Sequence, residues 1–236
     1  MLRAEASAPL AAAPATASGA ALAPDPAKML STTCAAGMAA VPGGRYALGE
    51  LEVSVQPFCL DLTEATAAAY ESCVNEGKCR TKGDWDGCNF AKSGRERHPM
   101  NCVDWNEAKA FCEAQGKRLP TEAEWEWAAR GGDAGRTYPW GSEEPRDRAC
   151  WSGDSEDRRG TCEVGSFPSG HGRFGHRDLA GNVWEWTASQ ASSEDAQLVV
   201  RGGCYLDNVP KWMSATLRGS QQPSNRGSRF GFRCAR

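Results

Sequence analysis

A single cysteine stands on a glycine turn near the end of the chain, in the stretch RGGCYLDNVPKW that runs from Arg201 to Trp212. A thiol is a nucleophile only where its surroundings favour the thiolate, and the neighbouring Arg201 would favour it at Cys204. Two other interpretations of Cys204 remain open, pairing with another loop cysteine and inert burial. The stretch therefore makes Cys204 a candidate catalytic thiol without requiring that it react.

A second candidate site is DLAGNVWEW, residues 178–186, which carries carboxylates at Asp178 and Glu185 around a glycine-containing turn. Calcium prefers about six to eight oxygen ligands drawn from carboxylates and backbone carbonyls. In the alternative interpretation, Asp178 and Asn182 are turn residues and the tryptophans belong to the core. The residue types alone thus indicate a calcium site but leave a purely structural role open.

The three histidines, His98, His171 and His176, give no support to a metal centre. They form no pair four residues apart, and none has a carboxylate at a ligand spacing. His98 precedes a proline and is predicted to be structural, whereas His171 and His176 are predicted to be exposed in a glycine-rich loop. Nucleotide-binding glycine motifs and the GxSxG motif of hydrolases are absent from the sequence.

Eleven cysteines in 236 residues indicate a disulfide framework, because their spacing lacks the paired CxxC blocks of zinc ribbons. Such a framework implies an oxidising, extracytoplasmic compartment. The odd number leaves at least one thiol unpaired within the monomer. The net charge of -3 argues against a nucleic-acid partner, because such proteins carry a clustered basic excess.

Residues 1–33 are rich in alanine and proline and are predicted to be a disordered arm or linker. They could instead be the remnant of an export signal, with a cleavage-like run of small residues at 21–23. Glu5, Pro9 and Pro14 interrupt the apolar region that a signal requires. Residues 34–236 are long enough for one domain, and no stretch reaches the roughly 20 apolar residues of a membrane span.

The secondary-structure elements that position these residues are short, and glycine- and proline-rich loops separate them. This pattern predicts an irregular α+β domain that is cross-linked by disulfides. Thr66 can cap a first helix that ends at Gly77. Capping boxes predict two more helices. They are formed by Asp104 with Glu107 and by Thr121 with Glu124. Strands are predicted at residues 44–48, 53–60, 198–201 and 230–236.

A series of motifs spans residues 34–236 in one order: VPGGRYALG, PFCLDLTEAT, HPMNCVDWNEAKAFC, GKRLPTEAEWEWAARGG, YPWG, VGSFPSG, DLAGNVWEWT, VVRGG and GFRCAR. In these motifs the chain closely resembles the formylglycine-generating enzyme, or sulfatase-modifying factor, family. The resemblance implies an irregular fold related to C-type lectins. It also implies that the chain is related to the family's founding enzymes, which oxidise the cysteine of Cys-x-Pro-x-Arg sequences in sulfatases. They use molecular oxygen and a copper ion held by two thiolates.

The resemblance carries further expectations about individual residues. A calcium site of the family falls on the carboxylates of Asp178 and Glu185 and on the main-chain carbonyls of Gly181 and Val183. A second family calcium site would lie around residues 149–157, where alanine replaces asparagine, and it is not expected to bind. The family suggests a disulfide between two cysteines far apart in the sequence, and another pair flanks an insert: Cys112 with Cys234, and Cys150 with Cys162.

One departure from the family decides the expected chemistry. In the oxidases RGGSY is followed by two cysteines, whose positions fall at Asp207 and Trp212 here, while Cys204 takes the place of a serine at the floor of the substrate groove. Soft sulfur ligands select copper(I), and neither carboxylate nor indole replaces them. Copper binding of the oxidase type is therefore not expected.

What remains is a groove that could receive a peptide or an anionic ligand, with five candidate lining residues: Trp184, Arg201, Tyr205, Arg218 and Arg229. The arginines could equally be solvated loop residues. The sequence predicts an exported, calcium-stabilised domain that binds a peptide or other ligand without copper oxidase chemistry. The alternative is an enzyme, either a formylglycine-generating oxidoreductase or a divergent thiol enzyme that uses Cys204.

Overall fold

The computed structural model describes residues 33–81, 85–154, 158–192 and 196–236, so the predicted arm lies outside the described residues except for its last position. Eleven α-helices and β-strands occur in these ranges: β1 (Met38–Val41), β2 (Gly44–Leu48), β3 (Leu51–Val55), β4 (Phe58–Asp61), α1 (Ala67–Asn75), α2 (Trp105–Ala114), α3 (Glu122–Ala129), β5 (Trp184–Gln190), β6 (Leu198–Arg201), β7 (Arg218–Gln221) and β8 (Phe230–Gly231). Long irregular segments connect them, which confirms the predicted α+β class.

The three helices begin where the sequence predicts, because each start is fixed by a local side-chain cap. The Thr66 hydroxyl accepts a hydrogen bond from the third backbone N–H of α1. Reciprocal capping boxes start α2 at Asp104 and α3 at Thr121. Such caps satisfy backbone N–H groups that have no partner within the helix.

Three small sheets hold the strands. β1 pairs with β4, β2 pairs with β3 as a hairpin, and the largest sheet has the order β7-β6-β5-β8, in which only the β5–β8 pair is parallel. The predicted strand at 53–60 was wrong, since it splits into β3 and β4. Pro57 explains the break, because it lacks an N–H donor and restricts the residue before it.

The C-terminal strand is also shorter than predicted. β8 contains only Phe230 and Gly231, and the chain beyond it forms isolated bridges instead, in which Ala235 pairs with both Leu60 and Arg118. The sequence analysis does not predict β5, because it assigns residues 178–186 to a calcium site or to a turn with core tryptophans.

The central strand β6 separates two environments. Leu198 and Val200 pack into the main core with Trp186 of β5, Phe230 of β8 and Phe111 of α2. The side chain of Arg201 lies on the opposite face, against α3. This alternation follows from the two-residue period of a strand, and it places two distinct sites on the two faces of one strand.

Five disulfides staple the described residues: Cys34–Cys59, Cys73–Cys79, Cys88–Cys102, Cys112–Cys234 and Cys150–Cys162. The Cys112–Cys234 bridge joins α2 to the C-terminal segment across a separation of 122 residues. In the chain-entropy picture, a closure of this length stabilises the fold by about 4 to 5 kcal/mol. No helix within the described ranges has the length and apolarity that a membrane span requires.

Candidate functional site

Cys204 is held by a tight turn that directly follows β6. Gly202 and Gly203 have φ angles of 96° and 75°, in the left-handed region that favours glycine. A side chain on Gly203 would have its Cβ 2.5 Å from the Trp212 carbonyl oxygen, so only glycine fits there. The turn then brings the backbone N–H of Cys204 to 2.8 Å from Oδ2 of Asp207.

The surroundings of Cys204 disfavour its thiolate. The residue is fully buried, and burial raises its thiol pKa to about 12, with the Asp207 carboxylate adding to the rise. The prediction that Arg201 favours the thiolate was wrong, because its guanidinium lies on the other face of β6 and bonds Glu122 and Glu126 of α3. The thiol therefore stays protonated at neutral pH.

The two positions that correspond to the oxidase thiols have opposite environments. Asp207 is buried, and burial raises the pKa of its carboxyl, while hydrogen bonds from Cys204 and from the Trp184 indole oppose the rise. Trp212 is 39% exposed. Cys204 is the only free thiol among the described residues, so these residues cannot supply the pair of thiolates that linear copper(I) ligation requires.

Two of the five predicted groove residues, Trp184 and Arg229, lie close to Asp207. Trp184 lies beside its carboxyl, and the charge of Arg229 lowers the pKa of both Asp207 and Cys204. The Tyr205 hydroxyl lies 3.2 Å from the Ser228 hydroxyl.

The other two predicted groove residues belong to a different place. Arg201 and Arg218 both donate to the Glu122 carboxylate of α3, at 2.6 and 2.7 Å. Their assignment to the same groove as Tyr205 was therefore wrong, because alternation along β6 directs Arg201 to the opposite face.

The segment that follows Cys204 exposes apolar side chains. Leu206 is 45% exposed and Val209 and Trp212 are each 39% exposed, although large apolar residues are normally buried. We call these three residues the apolar rim. A neighbouring group of apolar side chains on a surface often marks a contact with another molecule.

The predicted calcium residues lie on a strongly turned backbone. Asp178, Gly181 and Asn182 all have positive φ angles, of 53°, 78° and 59°. The Asp178 carboxylate accepts a hydrogen bond of 2.5 Å from the Gly165 backbone, and the Asn182 amide donates to the Glu64 carboxylate at 3.1 Å. The turn thereby places Asp178 close to Glu64, which the sequence analysis did not include.

This region gathers three carboxylates around the buried guanidinium of Arg233, and the exposed Arg177 also lowers the pKa of Asp178. Arg233 donates to both carboxylate oxygens of Glu185, at 2.7 Å each, and the Trp125 indole donates to one of them. Burial raises the pKa of Asp178 to about 6 and that of Glu64 well above its ordinary value. Three carboxylates lie near only one buried guanidinium, so a cation would be electrostatically favoured here.

The predicted calcium ligands fall short of the roughly six to eight oxygens that calcium prefers. No three histidine, cysteine, aspartate or glutamate side chains converge as metal ligands within the described ranges, and the predicted set uses only two carboxylates with two backbone carbonyls. Glu185 accepts three hydrogen bonds, which leaves one of its four lone-pair positions open, on Oε1. The buried Oε1 of Glu64 has no partner among the described residues. Calcium binding by these residues therefore stays a prediction.

The histidines take structural positions. Nδ1 of His98 lies 2.9 Å from the Thr161 hydroxyl, as the structural interpretation predicts. The predicted exposure of His176 was wrong: its loop closes through a hydrogen bond from Gly172 N–H to the His176 carbonyl, and the ring is fully buried. Burial lowers its pKa to about 3, so the ring is neutral. His171 is partly buried.

Sequence reasoning missed the charged partners Glu64, Arg233, Glu122 and Glu126. Glu122 and Glu126 are four residues apart on α3, which was a usable signal for one shared helix face. Glu64 and Arg233 lie in quoted motifs, but nothing local relates them, because 169 positions separate them in the sequence.

Comparisons with known proteins agree with this geometry. The family model described as "Sulfatase-modifying factor enzyme 1-like domain" matches residues 24–236. A bovine (Bos taurus) protein named "Inactive C-alpha-formylglycine-generating enzyme 2" is 33% identical over 84% of this chain and 87% of its own length. The formylglycine-generating enzyme of Streptomyces coelicolor is 40% identical over 64% of this chain and 56% of its own length.

Solved structures support the fold. CarF superposes with a TM-score of 0.71 at 22% identity, over 84% of this chain and 97% of its own. PvdO from Pseudomonas aeruginosa superposes with a TM-score of 0.69 at 27% identity, over 84% of this chain and 93% of its own. Together, the match along the chain and the shared fold show that this chain belongs to the sulfatase-modifying factor family.

Proposed function

We propose that this domain binds a peptide segment and does not carry out copper-dependent oxidation. The observation that carries the proposal is the replacement of the paired thiols by Asp207 and Trp212, next to a Cys204 that is buried and protonated. A relative named as inactive at 33% identity supports the same view. Oxidation through Cys204 as a lone thiol receives no support, because the sulfur is enclosed and the Asp207 carboxylate opposes its ionisation.

The proposed compartment is extracytoplasmic. Five disulfides form between residues of this domain, and such bridges persist in oxidising compartments. An exported binding domain would meet its peptide partners outside the reducing cytosol.

The proposed peptide contact is the apolar rim together with Arg229. Leu206, Val209 and Trp212 are exposed on one short segment, and Arg229 and Trp184 lie beside the carboxyl of Asp207 within that segment. Aromatic residues dominate the binding energy of many peptide and protein contacts. Trp212 thus stands at a position where the oxidases carry a cysteine, and its exposed side chain offers a surface for a peptide to contact.

We expect a peptide containing Ser-x-Pro-x-Arg, in which serine replaces the cysteine of the sulfatase sequence, to bind this surface. Fluorescence anisotropy of the labelled peptide measures its Kd. Trp212→Ser is expected to weaken binding about tenfold or more, since exposed tryptophans are frequent binding hot spots. Leu51→Ser is the matched control, because Leu51 is 69% exposed on the separate β2–β3 hairpin. Equal Kd values for wild type and Trp212→Ser, or no saturable binding, would contradict the proposal.

We further propose that calcium stabilises the domain through Asp178 and Glu185, assisted by the carbonyls of Gly181 and Val183. Bound calcium would supply positive charge to a cluster in which Glu64, Asp178 and Glu185 lie around one buried arginine, Arg233. Its role would be structural, since it neutralises buried charge and fixes the turn between Asp178 and β5.

Calcium is therefore expected to raise the melting temperature. At a concentration of about 100 times its Kd, a ligand that binds only the folded state adds about 2.7 kcal/mol, or roughly 5 to 10 °C for a domain of this size. Differential scanning fluorimetry with calcium or with EGTA measures the shift. Asp178→Ala should abolish it, whereas Asp133→Ala, at an exposed ion pair with Arg173, should retain it. An unchanged melting temperature in wild type would refute calcium binding.

A further inference from the structure

The disulfide between Cys150 and Cys162 has a guanidinium group in direct contact with both of its sulfur atoms. Nη1 of Arg158 lies 2.8 Å from Sγ of Cys162 and 3.5 Å from Sγ of Cys150. Nε of the same arginine donates to the Trp151 carbonyl at 2.9 Å, which holds the guanidinium beside the bond. We propose that this disulfide is a thiol–disulfide exchange site that accepts electrons from a dithiol. The inference uses no residue of the apolar rim and does not depend on the peptide proposal.

One end of this bridge is accessible to solvent. Cys162 is partly exposed, whereas Cys150 is only 1% exposed. In contrast, both cysteines of the long Cys112–Cys234 bridge are fully buried. Exchange requires direct contact between the attacking thiolate and a disulfide sulfur, so access decides which sulfur is attacked. A dithiol is therefore expected to attack at Cys162.

The contact with Arg158 favours the opening of the bond. A thiolate of the dithiol attacks Sγ of Cys162 and forms a mixed disulfide, and the electron pair of the broken S–S bond leaves with the sulfur of Cys150 as a thiolate. A neighbouring arginine stabilises such a thiolate. The second thiol of the reactant then releases Cys162. Two electrons and two protons thereby pass from the dithiol to the two cysteines, and the dithiol becomes a disulfide.

The loop that the disulfide closes also contains and adjoins acidic residues. The Asp154 carboxylate accepts a hydrogen bond from the Asp147 N–H at 2.8 Å, and Glu163 pairs with Arg97 at 3.2 Å. The acidic residues 156–157 lie outside the described residues. Because Coulomb energy falls with distance, a guanidinium in contact with the sulfurs acts on a thiolate more strongly than a carboxylate further away.

The fold keeps the two cysteines together when the bond is open. The backbone N–H of Asn182 donates to the Cys150 carbonyl at 2.8 Å, and Oδ1 of Asn182 accepts from the Cys162 N–H at 3.0 Å. Opening this bridge, across a sequence separation of 12 residues, also releases less chain entropy than opening the Cys112–Cys234 bridge, across 122. Reduction is therefore expected to be reversible and to leave the domain folded.

The test uses dithiothreitol as the probe dithiol and the purified chain with its disulfides formed. N-ethylmaleimide stops the reaction, and peptide mass mapping measures how fast each disulfide opens. We expect Cys150–Cys162 to open about tenfold or more faster than Cys112–Cys234, without loss of the native near-UV circular dichroism.

Arg158→Gln is expected to slow this opening about tenfold. It should also shift the equilibrium with dithiothreitol about tenfold towards the disulfide, which corresponds to about 30 mV for a two-electron couple. Arg159→Gln is the matched control, because it removes the same charge from the adjacent, exposed residue. Arg158→Lys keeps a positive charge and should retain most of the rate, which separates the charge of the arginine from its packing.

Fast opening that is slowed in Arg158→Gln alone would support the proposal. The proposal is overturned if Cys150–Cys162 opens no faster than Cys112–Cys234, or if Arg158→Gln and Arg159→Gln react alike. It is equally overturned if Arg158→Lys is as slow as Arg158→Gln, or if selective reduction abolishes the native near-UV signal, because the bridge would then be structural.

Discussion

Arg233→Met is expected to lower the free energy of unfolding by about 3 to 5 kcal/mol, because it leaves the buried Glu185 carboxylate without its counter-charge. Both residues are fully buried, and Arg233 also donates to the carbonyls of Asp61 and Asp178, so the change breaks several contacts. The charges of Asp178 and Glu64 add to the cost, since they repel the unpaired carboxylate. Urea denaturation followed by tryptophan fluorescence measures the loss.

Two further variants separate lost charge pairing from lost packing. Arg97→Met changes an exposed arginine that pairs with Glu163, and it should cost less than about 0.5 kcal/mol. Glu185→Gln in the Arg233→Met background removes the unpaired charge and should recover part of the stability. A loss below about 1 kcal/mol for Arg233→Met, or no recovery in the double variant, would contradict the electrostatic role of this pair.

The caps and the family motifs were sufficient to predict the helices and the fold class. Thr66, Asp104 and Thr121 each act within one turn of their own helix, so their effect can be read from neighbouring residues. The ends of the strands, in contrast, depend on hydrogen-bond partners that are distant in the sequence. Ala235 bonds to Arg118 rather than extending β8, and no local pattern shows that choice.

Only part of the candidate site could likewise be predicted from the sequence. The replacements at Asp207 and Trp212 are visible by register in the sequence, but the environment of Cys204 is not. Its high pKa depends on burial and on Asp207, and the predicted help from Arg201 fails because two glutamates of α3 already bind that guanidinium. Interactions across 75 to 79 residues cannot be inferred from spacing alone.

The disulfides of the N-terminal half show another limit. Six cysteines allow about fifteen pairings, and spacing does not choose among them. The structure resolves them as three pairs: Cys34–Cys59, Cys73–Cys79 and Cys88–Cys102. Each pair depends on how the irregular segments fold back on one another, which neither periodicity nor capping specifies.

We also expect a large difference in peptide oxidation between this chain and an oxidase of the family. The Streptomyces coelicolor formylglycine-generating enzyme should convert a Cys-x-Pro-x-Arg peptide in the presence of copper and oxygen, whereas this chain should leave the peptide unchanged. The physical reason is that Asp207 and Trp212 cannot replace two soft thiolates, and Cys204 is buried and protonated. The difference should therefore be nearly complete rather than a modest loss of rate.

The most direct measurement is the peptide mass after incubation of the purified chain with copper, oxygen and the Cys-x-Pro-x-Arg peptide, with the Streptomyces enzyme assayed in parallel. Cysteine-to-aldehyde conversion by that enzyme alone is the expected result, and it would support a binding domain without oxidase chemistry. Conversion by this chain, lost on Cys204→Ser, would contradict that conclusion and would identify Cys204 as part of an active copper site.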